Sequence, residues 1–90
     1  MKTVHIKVHG RVQGVFFRQD TKDRATALRI TGWVRNLPDG TVEITATGDE
    51  QNIEKLIQWC QQGPPRAVVN KVDVTDSPLN NFTSFEIVRL

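Results

Sequence analysis

The segment most able to do chemistry reads Gly10-Arg11-Val12-Gln13-Gly14-Val15-Phe16-Phe17-Arg18. Glycines at 10 and 14 can take positive φ and let a ligand approach the backbone, so successive amides can converge on one tetrahedral anion. Arg18 adds a planar fork of donors suited to phosphate. Where such a segment joins the end of a strand to the start of a helix, free amides and the helix dipole strengthen the attraction. By spacing alone it is equally a glycine-bearing turn with a solvated arginine, because it lacks the lysine and hydroxyl of a P-loop. Asn36, just ahead of Leu37-Pro38-Asp39-Gly40, has a side-chain amide that could hold a water, and it could equally be a turn former.

Other tempting residues read as structural. His5 and His9 are four apart, which on a strand separates them by about 13 Å and argues against a two-histidine metal site. Cys60 falls on the apolar stripe of a helix and reads as a small core residue. Trp33 and Trp59 read as packing residues, and the lysines at 2, 7, 22, 55 and 71 as a solvated surface.

The elements that would position these residues follow from periodicity. Val4, Ile6 and Val8 alternate with polar neighbours, predicting a strand from Lys2 to His9. Phe17, Thr21, Ala25 and Leu28 recur at helical spacing, predicting a helix from Phe17 to Leu28, with Asp20 and Arg24 able to pair on its exposed side. Ile30, Gly32 and Val34, then Val42, Ile44 and Ala46, alternate about the Leu37–Gly40 turn as a hairpin. Asp49 is the expected N-cap of a second helix with stripe Ile53, Leu56, Ile57 and Cys60, which Gly63-Pro64-Pro65 stops near Gln62. A strand over Val68 to Val74, a polar loop from Asp76 to Asn81 and a strand-like stretch from Ser84 to Leu90 complete the chain.

The order βαββαβ with a further strand predicts an α+β, ferredoxin-like sandwich, with two helices on one face of a mainly antiparallel sheet of four to five strands. In its split βαβ unit the first two strands run parallel, so their carboxyl ends share an edge and bring the Gly10–Arg18 loop and Asn36 to the same side. At 90 residues the chain should form one domain. No apolar run approaches the roughly 20 residues needed to cross a bilayer. Charges interrupt the N-terminus, so no secretory signal is expected. A single cysteine agrees with a reducing compartment, and the expected location is the cytoplasm. Twelve basic residues against ten acidic ones, net +2, do not make a polybasic nucleic-acid surface.

Gly10 to Arg18 resembles the first motif of the acylphosphatase family, and Gly32-Trp33-Val34-Arg35-Asn36 resembles its second at the expected distance. The likeness extends through Asp39-Gly40-Thr41-Val42, Gly63-Pro64-Pro65 and Phe85-Glu86-Ile87-Val88, and so over nearly the whole chain. It implies a ferredoxin-like fold and hydrolysis of a carboxyl-phosphate anhydride with no metal or organic cofactor. Residue by residue, it makes Arg18 the phosphate-binding arginine, Gln13, Gly14, Val15, Phe16 and Phe17 the amide cradle, and Asn36 the residue that orients water. The expected ligands are a small-molecule acyl phosphate and, as product-like anions, inorganic phosphate or sulfate. A free-standing monomer is expected, without nucleic acid or membrane as partner. One departure concerns Arg29, where the family often has glycine: a non-glycine residue in the left-handed helix end costs roughly 1 kcal/mol.

Two other functions compete with hydrolysis. RNA-recognition modules of this fold class stack bases on aromatics of the central strands, and Thr3 to His9 and Thr41 to Thr47 carry none. A non-catalytic anion-binding module would need the loop and Arg18 but no water-holding Asn36.

Overall fold

Alternation in the first strand fills one layer of the core: Val4, Ile6 and Val8 are fully buried, while His5, Lys7 and His9 face the other way. In the computed structural model, which describes residues 1–89, this strand is β1 (Lys2–Arg11). There follow α1 (Phe17–Ala27), β2 (Thr31–Asn36), β3 (Val42–Gly48), α2 (Glu50–Gln62), β4 (Val68–Ser77) and β5 (Phe85–Ile87). The sheet order is β4-β1-β3-β2-β5, antiparallel except for the parallel pair β2 and β5. This is the expected ferredoxin-like sandwich, with a fifth strand added beside β2.

Both helices lie on the face that carries Val4, Ile6, Val8, Val34, Val42, Ile44 and Ala46. Helix α1 buries Phe17, Thr21 and Ala25, and α2 buries Ile53, Leu56 and Cys60. Taking each large apolar side chain out of water contributes about 1.5–3 kcal/mol, so the helical stripes hold the helices on the sheet more firmly than intrinsic propensity could. The expected pairing of Asp20 with Arg24 is replaced: the Arg24 guanidinium stands 5.5 Å above the Trp59 ring, and Trp59 in turn packs against Phe17 at 5.3 Å. No described helix is long and apolar enough to cross a membrane.

The element ends differ from expectation where pairing overrides local composition. β1 continues past His9 to Arg11 because β4 pairs along it, from Thr3 opposite Ser77 to Arg11 opposite Val68. The same pairing draws Asp76 and Ser77 out of the expected polar loop. Between His9 and Gly10 the register shifts in a bulge. Gly10 has φ 126°, and a Cβ there would stand 2.1 Å from the Val68 carbonyl oxygen, so only glycine fits. Asp49 occupies the N-cap position of α2, but its side chain makes no capping bond. Of the last expected strand, Phe85–Ile87 is extended and paired, and Leu90 lies outside the described residues.

Helix α1 ends in the geometry that the sequence left in doubt. Arg29 takes φ 56°, its N–H donates to the Thr26 carbonyl at 3.1 Å, and the Ile30 N–H reaches back to Ala25 at 2.8 Å. These two bonds form a Schellman motif, in which a left-handed residue turns the chain and satisfies the last carbonyls. Arg29 therefore keeps the geometry that glycine would adopt freely.

Candidate active site

After the bulge the chain leaves the sheet and turns into α1 through two left-handed residues, Gly14 at φ 74° and Phe16 at φ 67°. Val15 between them is buried in the core and anchors the loop from below. A Cβ at Gly14 would meet nothing within 4 Å, so the space over the loop is open. Phe16 is 72% exposed, which rules out core packing as the reason for its left-handed strain.

The backbone N–H groups from Gln13 to Arg18 donate to no carbonyl among the described residues. The first helical bond is that from the Asp20 N–H to the Phe16 carbonyl, at 3.0 Å. Left-handed residues at 14 and 16 are of the kind that lets successive amides converge on an anion, and the loop lies at the positive end of a helix.

Arg18, in the first turn of α1, and Asn36, the last residue of β2, line the same cleft of about 270 Å³. The parallel relation of β1 and β2 explains the meeting, since both strands end at this edge of the sheet. Gly14, Phe16 and Phe17 also line the cleft. The side chains of Gln13 and Val15 do not: Val15 faces the core, and the Gln13 side-chain amide donates to the Leu37 and Thr41 carbonyls at 2.8 and 2.9 Å. Arg18 makes no ion pair with a carboxylate among the described residues. A cation at a helix N-terminus opposes the macrodipole, a conflict that a bound anion resolves.

Asn36 is held by its register opposite Val42, and its Oδ1 is buried without a hydrogen-bond partner among the described residues. The turn that follows is rigid. The Leu37 N–H donates to Thr41 O at 2.9 Å, and the Asp39 carboxylate accepts from the Thr41 hydroxyl and from the Thr41 N–H at 3.0 Å. The hydroxyl bond above all, then the N–H and Lys7 at 3.1 Å, hold the Asp39 pKa down to about 2.

Sequence reasoning missed one wall of the cleft. Ile87 and Arg89 line it together with Gln19, and an adjoining recess adds Leu37, Pro38 and Val88. Ile87 sits opposite Val34 because β5 runs parallel to β2, and the Val88 N–H donates to the Val34 carbonyl at 2.9 Å. Extending this register brings Arg89 level with Asn36. No signal in the chain-terminal residues foretells that neighbourhood.

The remaining candidates lie away from the cleft. His5 bonds Glu43 at 2.7 Å, and His9 bonds Asp73 at 2.9 Å, each on a different strand pair of the open sheet face. Glu43 is also held by Arg35 at 2.6 Å. Partial burial alone would raise the pKa of Glu43, but hydrogen bonds from His5 and Arg35 outweigh it and the net shift is downward. Burial pushes the Cys60 thiol up to about 12, which keeps it protonated and unreactive at neutral pH. Trp33 lies under Arg35 at 4.9 Å, and the two tryptophans do not meet.

Comparison with known proteins finds relatives of the whole chain. The acylphosphatase family model matches residues 4–87. An acylphosphatase of Methylococcus capsulatus is 48% identical over 90 residues, covering 99% of this chain and 98% of its own length. One from Acaryochloris marina is 51% identical over 82 residues, covering 91% of this chain and 88% of its own. The crystal structure of the Bacillus subtilis acylphosphatase superposes with a TM-score of 0.95 at 38% identity, covering 98% of this chain and 99% of that one.

Proposed function

The chain belongs to the acylphosphatase family and is an acylphosphatase, a hydrolase of acyl phosphates; we propose that it binds the phosphoryl group on the Gln13–Arg18 segment and directs water to it from Asn36. The observation that carries this reading is the meeting of Arg18 and Asn36 in one cleft beside unpaired amides.

In this mechanism the amides of Gln13, Gly14, Val15, Phe16 and Phe17, with the Arg18 guanidinium, hold the equatorial phosphoryl oxygens in the ground and transition states. The Asn36 side-chain amide, in the cleft lining, holds a water with a lone pair directed at phosphorus. The new O–P bond forms as the bond from phosphorus to the acyl oxygen breaks, and a carboxylate departs. Its conjugate acid has a pKa of about 4, so the leaving group needs little help from a general acid. Asn36 is no base at neutral pH, and the described cleft lining holds no carboxylate, histidine or thiol. The water's proton therefore goes to an oxygen of the phosphoryl group.

The test is release of phosphate from a simple aromatic acyl phosphate in the presence of a chelator, with inorganic phosphate as inhibitor. Turnover with chelator present and competitive inhibition by phosphate are expected. An apparent KM that does not change with added phosphate would overturn the proposed cradle.

A further inference from the structure

The Gln13 side chain is turned away from the phosphate space and spans to the segment that carries Asn36. Both hydrogens of its amide are used, one on the Leu37 carbonyl at 2.8 Å and one on the Thr41 carbonyl at 2.9 Å. These carbonyls also close the turn: Thr41 O accepts from the Leu37 N–H, and Leu37 O accepts from the Gly40 N–H at 3.1 Å. Asp39 and Lys7 brace the same turn. Among the described residues, no other side-chain hydrogen bond joins the Gly10–Arg18 loop to it.

We propose that Gln13 is a positioning residue for hydrolysis: its side chain fixes the separation between the phosphate cradle, which its own backbone helps to form, and Asn36, the neighbour of Leu37. This rests on the reading of Asn36 as the water-holding group. In-line attack demands that the water and phosphorus keep one distance and one angle, and an error of about 1 Å can cost a hundredfold in rate. Loop and turn belong to different connections of the chain, so backbone continuity does not set that distance. A bidentate amide does, because it locks both position and orientation of the turn relative to the loop. Asparagine is one methylene shorter and would not span the gap, while glutamate would set an anion against two carbonyl oxygens.

The experiment compares Gln13→Met, which keeps length and removes both donors, with Gln13→Glu, each also made on an Asn36→Ala background. Folding is checked by thermal unfolding, and kcat, KM and the inhibition constant of phosphate are measured against pH. Gln13→Met is expected to lower kcat about tenfold while phosphate inhibition changes less than about twofold. Gln13→Glu should fall further at neutral pH and recover relative to the parent on acidification, as the protonated carboxyl regains one donor. Taken as kcat per folded molecule, that profile would not arise from a role in stability alone. On the Asn36→Ala background Gln13→Met should add little further loss, because the clamp acts through Asn36.

Unchanged kcat in Gln13→Met, or an equal loss of phosphate affinity and kcat, overturns the positioning role. If Asn36→Ala loses activity but Gln13→Met costs the same on both backgrounds, the reading of Asn36 survives and the inference about Gln13 fails. If Asn36→Ala turns over normally, the water-holding reading itself fails.

Discussion

The two ends of the sheet treat their polar groups in opposite ways. At the end where β1 begins, Thr3 and Thr47 are almost wholly buried, yet every hydroxyl is used: the Asn80 N–H donates to Thr3 Oγ1 at 3.0 Å, Thr3 to Thr47 Oγ1 at 2.6 Å, and Thr47 to the Asn80 carbonyl at 2.7 Å. The ring closes on itself and ties the β4–β5 connection to the sheet. At the end where β1 finishes, amides from Gln13 to Arg18 and the buried Asn36 Oδ1 have no hydrogen-bond partner among the described residues, and Phe16 is held at positive φ. Satisfied polar groups add rigidity and stability, whereas unsatisfied ones held by a rigid frame lower stability and are ready for a ligand. The contrast separates a structural end of the sheet from the end proposed to carry the chemistry.

The sharpest way to break this contrast is at Asn36. Asn36→Ala should lower kcat by about a hundredfold or more while leaving phosphate affinity nearly unchanged, because the role proposed for the residue is to hold water and not the anion. Steady-state kinetics and phosphate calorimetry on the folded variant decide it: abolished phosphate binding would move Asn36 into the cradle.

Arg18→Gln should differ in kind. In the proposed mechanism the guanidinium touches the anion itself, so phosphate binding and turnover should fall together, by about 1.5–3 kcal/mol for a charge-assisted contact. Retained phosphate affinity would remove Arg18 from the cradle.

At the structural end the readout is reversed. Thr47→Val keeps the shape but removes the shorter of two hydroxyl bonds to the Asn80 carbonyl, leaving it only Thr3 Oγ1 at 3.5 Å, and should cost about 1–3 kcal/mol of stability in denaturant unfolding. The kcat of the folded fraction should not change. A fall in kcat without loss of stability would erase the distinction between the two ends.

The smallest effect is expected at Arg29, a left-handed residue remote from the cleft. Arg29→Gly should relieve strain and stabilise the fold by up to about 1 kcal/mol, offset in part by the greater freedom of glycine in the unfolded chain. Thermal unfolding tests it, and activity should be unaltered. The strain at Phe16 is of the same backbone type but lies in the cleft lining, so the two left-handed residues set strain at a helix end against strain at the site.

Much of this was legible in the chain. Period-two alternation places Val4, Ile6 and Val8 on one face because the strand pleat leaves no alternative, and helical recurrence does the same for Phe17, Thr21 and Ala25. The shared edge of the Gly10–Arg18 loop and Asn36 follows from the parallel ends of a split βαβ unit. All of these are short-range or topological consequences of residue type and spacing.

Tertiary structure alone decided the rest. Ile87, Val88 and Arg89 reach the cleft through the parallel pairing of β5 with β2, a choice among strand partners that local pattern does not encode. β4 extends through polar Asp76 because β1 offers it a ladder, and Asp49 fails to cap although its type is right for the position. Gln13 belongs by sequence to the loop, but its side chain bonds a turn that begins 24 positions later. Residue spacing fixes which groups share a face or an edge, since that depends on backbone geometry. Which side chains meet across separate connections depends on the packed arrangement of the whole sheet.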